Sequence, residues 1–150
     1  MSDCLEGDLI RPLGLVTLHF GYAEANVNFL LEMLRDSGVR IDVSPIAPLG
    51  KRLAEFNEAV ARLTCAGTAQ VVELLEEAQE LIEQRNSLVH ASVLAKGRVI
   101  PNDPKKAEFH VSPEALADLA ERILHWKERL DVAVQRTLLP ALRASATNGT

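Results

Sequence analysis

A heptad-like repeat of apolar residues near the start of the chain limits the folds that this sequence can adopt. Between residues 9 and 34 the apolar positions are spaced alternately by four and three residues. This spacing places them on one face of an α-helix, as a seam that packs against a neighbouring helix. The seam consists of Leu9, Leu13, Val16, Phe20, Ala23, Val27, Leu30 and Leu34. We therefore expect a long first helix that begins between Asp8 and Pro12 and ends near Asp36.

Three further segments have apolar stripes of helical period. They predict a second helix over about residues 49–63, a third from residue 68 to about His90 or slightly beyond, and a fourth over about 113–139. Ser112 and Pro113 form a helix start, and Pro140 is expected to end the fourth helix. The first, third and fourth helices would each be about 35 to 43 Å long. Long helices of matched length predict an all-α fold, an antiparallel helical bundle of about four helices.

The segments between the helices have different patterns. Residues 39–43 alternate between apolar and polar, which predicts a short edge strand. Residues 94–111 contain Gly97, Pro101 and Pro104, and predict a short irregular or hairpin insertion before the last helix, with residues 99–100 facing 109–111. We expect residues 1–143 to form one domain and residues 144–150 to form a disordered tail.

Composition and charge restrict the classes of function. The formal net charge of −5 argues against a protein that is basic over its whole surface, but it permits a local basic site. The cysteines are Cys4 and Cys65, which do not form a disulfide framework and fit a reducing compartment. No apolar run approaches the roughly 20 residues of a membrane span, and the first residues lack a signal-peptide pattern. We therefore expect a cytoplasmic protein that does not associate with membranes.

One polar segment at the end of the third predicted helix suggests chemistry: Arg85-Asn86-Ser87-Leu88-Val89-His90. Arg85 occupies a seam position, where a charge costs free energy unless it is paired or faces a wet cleft. Asn86 and His90 are four residues apart and share a helix face, and Arg85 borders the same groove. The planar guanidinium of arginine donates paired hydrogen bonds whose geometry suits phosphate, and histidine exchanges protons near neutral pH. These side chains suit phosphodiester chemistry without a metal.

The same segment resembles the Arg-Asn-x-x-x-His signature of the HEPN superfamily (higher eukaryotes and prokaryotes nucleotide-binding domains). The predicted helix layout over about residues 9–139 also fits that family, whereas the specific motif is confined to residues 85–90. The resemblance implies a metal-independent endoribonuclease, often a toxin or phage-defence effector, in which two protomers join their motifs across a dimer cleft. It implies that Arg85 binds the scissile phosphate, His90 transfers protons and Asn86 positions both. The implied partners are RNA, a second copy of the chain and a protein inhibitor (antitoxin).

Basic residues follow the motif and are candidates for RNA binding. They are Lys96, Arg98, Lys105 and Lys106, set against the acidic Asp103 and Glu108. This local excess of positive charge could guide a phosphate backbone toward His90. A solvated loop without function is the alternative interpretation.

Other interpretations of the motif remain open. Arg85 could pair with Glu24 or another acid inside the bundle, and His90 could cap the C-terminus of the third helix. The chain would then be a non-catalytic helical interaction or nucleotide-binding module. His19, Tyr22 and Asn26 form a polar stripe that could line a cleft or edge an interface.

No cofactor and no metal site is expected from the sequence. The chain lacks a Glu-x-x-His motif, and the only comparable pair, Glu121 and His125, offers too few ligands.

Overall fold

The computed structural model describes residues 2–89, 91–93 and 97–148, and within these residues the protein is an all-α helical bundle with a small sheet. The helices are α1 (Ser2–Asp36), α2 (Leu49–Ala61), α3 (Thr68–Val89), α4 (Pro113–Val132) and α5 (Leu139–Asn148). The strands are β1 (Ala91–Val93), β2 (Arg98–Pro101) and β3 (Phe109–His110). The predicted fold class is confirmed. No helix among the described residues combines the length and apolar character needed to cross a membrane.

The chain divides into two compact units. Unit 1 consists of Met1–Tyr22 and Glu80–Leu124, and unit 2 of Ala23–Gln79 and His125–Thr150. Each of the helices α1, α3 and α4 contributes one segment to unit 1 and another to unit 2. The division therefore falls inside continuous helices, where no linker marks it in the sequence.

Unit 1 packs its helical segments and the sheet around apolar side chains. Its buried residues include Val16 and Phe20 of α1, Leu81 and Leu88 of α3, Val99 of β2, and Leu116 and Ile123 of α4. The sheet is antiparallel in the order β1-β2-β3. The predicted hairpin is confirmed by the pairing of Val99 with Phe109, whereas β1 replaces the helical turn expected beyond His90.

Gly97 precedes β2 and lies against Val111, which follows β3. Its φ is +74°, and an added Cβ would overlap the carbonyl oxygen of Val111. The Val111 N–H donates to the Gly97 carbonyl at 2.7 Å. Only glycine fits this close approach.

Unit 2 contains a core of leucine, valine and aromatic side chains, and Arg52 is a buried charge within it. Phe56 and Val60 of α2 are fully buried, and the Trp126 indole donates to the carbonyl of Leu74 at 2.7 Å. Arg52 is only 4% exposed. Its guanidinium donates to the Glu24 carboxylate at 2.7 Å, to Asn28 Oδ1 at 2.8 Å and to the Ala47 carbonyl at 2.8 Å. These three hydrogen bonds offset the free-energy cost of removing the Arg52 charge from water.

The edge strand predicted at residues 39–43 is wrong. Ile41 and Val43 are buried and Asp42 is exposed, so the alternation is real, but the segment pairs with no strand among the described residues. Instead, the Arg35 guanidinium donates to the Ile41 carbonyl at 2.9 Å and to the Val43 carbonyl at 2.7 Å. A side chain therefore satisfies the carbonyls that a neighbouring strand would have paired.

The first and last helices extend beyond their predicted ends. Helix α1 begins at Ser2, with Pro12 inside it. Pro12 removes one backbone hydrogen bond, but its ring is buried in unit 1 and the helix continues on both sides.

Pro140 does not end the helical structure at the other end of the chain. Residues Ala133–Leu138 form a π-helical turn, in which the Leu139 N–H bonds to the Val134 carbonyl five residues earlier. This wide turn accommodates a proline that cannot donate at the next position. Residues 144–148 of the predicted tail are helical, and residues 149 and 150 lie outside the described residues.

Candidate active site

Arg85 lies near the end of α3 in unit 1 and is held against an aromatic ring. Its Cζ is 4.1 Å from the centroid of the Phe20 ring, and its Nη1 donates to Asn86 Oδ1 at 3.1 Å. The Phe20 face explains why a charge is tolerated on an apolar seam, since a planar guanidinium stacks on an aromatic ring. The site therefore holds the arginine by stacking.

The charge of Arg85 is not neutralised by an acid in the part of the chain that the structure describes. The Glu24 carboxylate, one partner considered from the sequence, binds Arg52 in unit 2. Arg85 Nε is buried and makes no hydrogen bond to a described residue. An unpaired, partly buried guanidinium has donors left for an anion, and phosphate matches their geometry.

Asn86 lines a cleft, whereas Arg85, which donates to the Asn86 side chain, is not among the described lining residues. The cleft has a volume of about 630 Å³ and lies within unit 1. Its described lining residues are Glu83, Asn86, Ser87, Pro101, Asn102, Asp103, Lys106, Ala107 and Phe109. Because Asn86 Oδ1 accepts from Arg85, the orientation of the amide is set and its Nδ2 remains a donor. Arg85 and Asn86 are thus linked at the edge of a space that can admit a ligand.

The predicted basic residues have different surroundings. Lys106 lines the cleft with Asn86, and Lys105 is exposed on the same loop. Arg98 pairs with Glu108 across β2 and the loop before β3, with both side chains about half exposed. An exposed pair of this type is weak, so Arg98 stays accessible to a competing anion. His90 and Lys96 lie outside the described residues.

The cleft also contains acidic groups. Glu83 and Asp103 are among its described lining residues, and the Lys105 backbone N–H donates to Asp103 Oδ1 at 3.0 Å. These carboxylates would repel a phosphate placed next to them, but they can accept hydrogen bonds from the amino groups of a base. The described lining of the cleft therefore has one basic group, Lys106, and two acidic groups, so a phosphate inside it would be favoured only beside Lys106.

Sequence reasoning missed the role of Phe20 and the position of Phe109. Phe20 has the signal of a core residue, and its stacking on a residue 65 positions later depends on tertiary structure. The sequence pattern predicts only a strand at Phe109, yet this side chain is half-buried in the cleft wall.

The predicted polar stripe of α1 contains a ring contact. The His19 and Tyr22 rings pack edge to face at 6.4 Å, and His19 Nδ1 is buried without a described partner.

The described residues contain no group of three or more histidine, cysteine, aspartate or glutamate side chains placed to hold a metal ion.

Comparisons with protein-family models, with curated proteins and with solved structures found no match for this chain. What the site can do chemically therefore depends on Arg85, on Asn86 and on the cleft that Asn86 lines.

Proposed function

We propose that the protein is a metal-independent endoribonuclease of the HEPN type. One observation supports this most directly: the Arg85 guanidinium is stacked on Phe20, is left without an acidic partner among the described residues, and donates to Asn86, which lines an open cleft. A structural arginine at a seam position would be expected to carry a carboxylate partner, as Arg52 does. The Arg-Asn-x-x-x-His pattern of residues 85–90 supports the same assignment.

The proposed reaction is an internal transesterification of RNA. The ribose 2′-oxygen attacks the adjacent phosphorus, the bond to the 5′-oxygen breaks, and the products are a 2′,3′-cyclic phosphate and a 5′-hydroxyl end. Arg85 stabilises the charge that develops on the phosphoryl oxygens, and Asn86 keeps the guanidinium in position. His90 transfers the proton.

A second copy of the chain completes the proposed site. The reaction needs a base for the 2′-hydroxyl and an acid for the leaving 5′-oxygen, and each motif supplies one histidine. Two motifs that face one cleft would supply both groups. In the cell, we propose a cytoplasmic toxin or phage-defence effector that a protein inhibitor controls.

The test is incubation of the purified protein with mixed RNA in EDTA. Wild-type protein should cut RNA and leave 2′,3′-cyclic phosphate ends, whereas the Arg85→Ala, His90→Ala double variant should not. Arg62→Ala is the matched control, since Arg62 is exposed and pairs only with Glu58 among the described residues.

Equal cleavage by the double variant would contradict the proposal. Failure of the wild-type protein to cut, together with saturable RNA or nucleotide binding, would instead favour the non-catalytic nucleotide-binding module.

A further inference from the structure

The cleft of unit 1 combines apolar and charged side chains, as sites for small organic groups do. Pro101 of β2 and Phe109 of β3 supply apolar surface and are half-buried. Glu83 and Lys106 supply charge and are exposed. The volume of about 630 Å³ lies within the range of about 300 to 1,000 Å³ that is typical of ligand pockets. An aromatic ring in such a wall provides a surface on which a nucleobase can stack.

Glu83 is the acceptor that α3 contributes to this cleft. Its carboxylate forms neither an ion pair nor a side-chain hydrogen bond with the described residues. The other carboxylate of the described lining, that of Asp103, already accepts from the Lys105 backbone N–H at 3.0 Å. Glu83 therefore has both oxygens available to a ligand.

Asn86 contributes a donor one helical turn after Glu83. Residues three apart are neighbours on a helix surface, and both of these line the cleft. Because Asn86 Oδ1 accepts from Arg85 Nη1 at 3.1 Å, its Nδ2 is the end of the amide that remains for a ligand. Ser87 Oγ donates to the Gln84 carbonyl at 2.7 Å, so its hydrogen is already engaged. Helix α3 therefore presents one donor beside two acceptors.

We infer that the cleft binds a guanine base of the RNA and that Glu83 selects it. The Watson–Crick edge of guanine carries the acceptor O6 followed by two donors, N1–H and the 2-amino group. This order is complementary to Asn86 Nδ2 and the two Glu83 oxygens, which accept both donors as a bidentate pair. Adenine and cytosine have an acceptor next to their amino group, and uracil has one donor between two carbonyl oxygens. Each of these bases would place an acceptor against the carboxylate.

The same side chain connects this base site to the motif. Asn86 lines the cleft and accepts from Arg85, so a guanosine bound there lies next to the arginine proposed to bind the scissile phosphate. The carboxylates of the lining favour an uncharged base over a phosphate, which is left to Arg85 and Lys106. The inference deepens the proposed function and rests on it for the biological role of base selection.

Isothermal titration calorimetry of the wild-type protein tests the base site without cleavage. The ligands are the monophosphates of guanosine, inosine, adenosine, cytidine and uridine, each with the phosphate at the 3′ and at the 5′ position. In the phosphate isomer that binds more tightly, inosine should bind about tenfold more weakly than guanosine, because it lacks the 2-amino group. The other three nucleosides should bind more weakly than guanosine by more than about tenfold.

Glu83→Gln tests which residue selects the base. The ratio of guanosine to adenosine affinity should fall by about tenfold or more, because a glutamine amide pairs with the donor and acceptor of adenine. Loss of negative charge alone would raise the affinity for all five nucleotides together and leave this ratio unchanged. Glu76→Gln is the matched control, since Glu76 is an exposed residue of the same helix outside the described lining, and it should not change the ratio. Both variants should melt as the wild type does.

The outcomes separate this inference from the proposed function. A guanosine preference in a protein that cuts no RNA would contradict the proposed function and support the base site. RNA cleavage by a protein that shows no guanosine preference would overturn the base site alone. Absence of saturable binding of guanosine monophosphate, or an unchanged ratio in Glu83→Gln, would also overturn the inference.

Discussion

Replacing Phe20 with leucine should remove the contact that holds Arg85 while keeping an apolar side chain in the core of unit 1. The guanidinium carbon lies 4.1 Å from the ring centroid and Arg85 is half-buried, so we expect a cation–π contribution of about 1 kcal/mol. Phe20→Leu should lower the free energy of unfolding by about 2 kcal/mol, of which about half is lost packing.

Arg85→Met separates the stacking energy from the packing energy. Methionine fills the seam position but cannot stack on Phe20 as a cation. The substitution also removes the buried Nε that has no described partner. These effects oppose one another, and the single variant should change the free energy of unfolding by less than about 1 kcal/mol. In the double-mutant cycle, Phe20 and Arg85 should show a coupling energy of about 1 kcal/mol.

The assay is urea denaturation of the four proteins of the cycle, with unfolding monitored by circular dichroism. A second cycle pairs Arg85→Met with Phe56→Leu, because Phe56 is fully buried in unit 2 and has no described cation contact. That control cycle should show coupling below about 0.5 kcal/mol. Equal coupling in the two cycles would refute the stacking that we assign to Phe20.

The remaining predictions concern catalysis, binding and the buried charge of unit 2. His90→Ala should lower RNA cleavage by about 10² to 10⁴ in EDTA, and DNA should not be cut because it lacks the 2′-hydroxyl; full activity in this variant would eliminate the mechanism. Lys106→Ala should weaken RNA binding and reduce its salt dependence more than Arg98→Ala does, since Arg98 is paired with Glu108; titration at several salt concentrations measures this, and the opposite order would contradict it. Arg52→Ala should lower the free energy of unfolding by about 3 kcal/mol, because it leaves Glu24 without its partner. Arg62→Ala, at an exposed pair, should lower it by less than about 1 kcal/mol. Equal values in urea denaturation would show that the Arg52 network contributes little.

Local patterns in the sequence were sufficient to predict helices α1 to α4 and the hairpin. The apolar spacing of residues 9–34 reflects burial along one face of a helix, and Ser112 and Pro113 mark the start of α4 through capping and fixed φ. The pairing of Val99 with Phe109 followed from two short apolar segments around a turn. These features depend on interactions between residues close in the chain. A one-dimensional pattern therefore contains the information that specifies them.

The ends of helices and strands were not predictable in the same way where a neighbouring group satisfies the backbone hydrogen bonds. Residues 39–43 alternate as a strand does, but Arg35 supplies the donors for their carbonyls. Pro140 is a helix-terminating residue by its chemistry, yet a π turn before it lets the helical structure continue. In both places a neighbouring group satisfies the backbone, and the sequence does not show that the group is within reach.

For the candidate site, the sequence was enough to select the candidate residues, whereas their surroundings depend on the folded chain. The motif identified Arg85 and Asn86, because an arginine on an apolar seam conflicts with the surrounding pattern. That Arg85 is stacked on Phe20, while Glu24 binds Arg52, required the folded chain. The physical reason is that these partners are separated by 28 to 65 residues, and contacts over such separations depend on how helices pack rather than on the period within one helix.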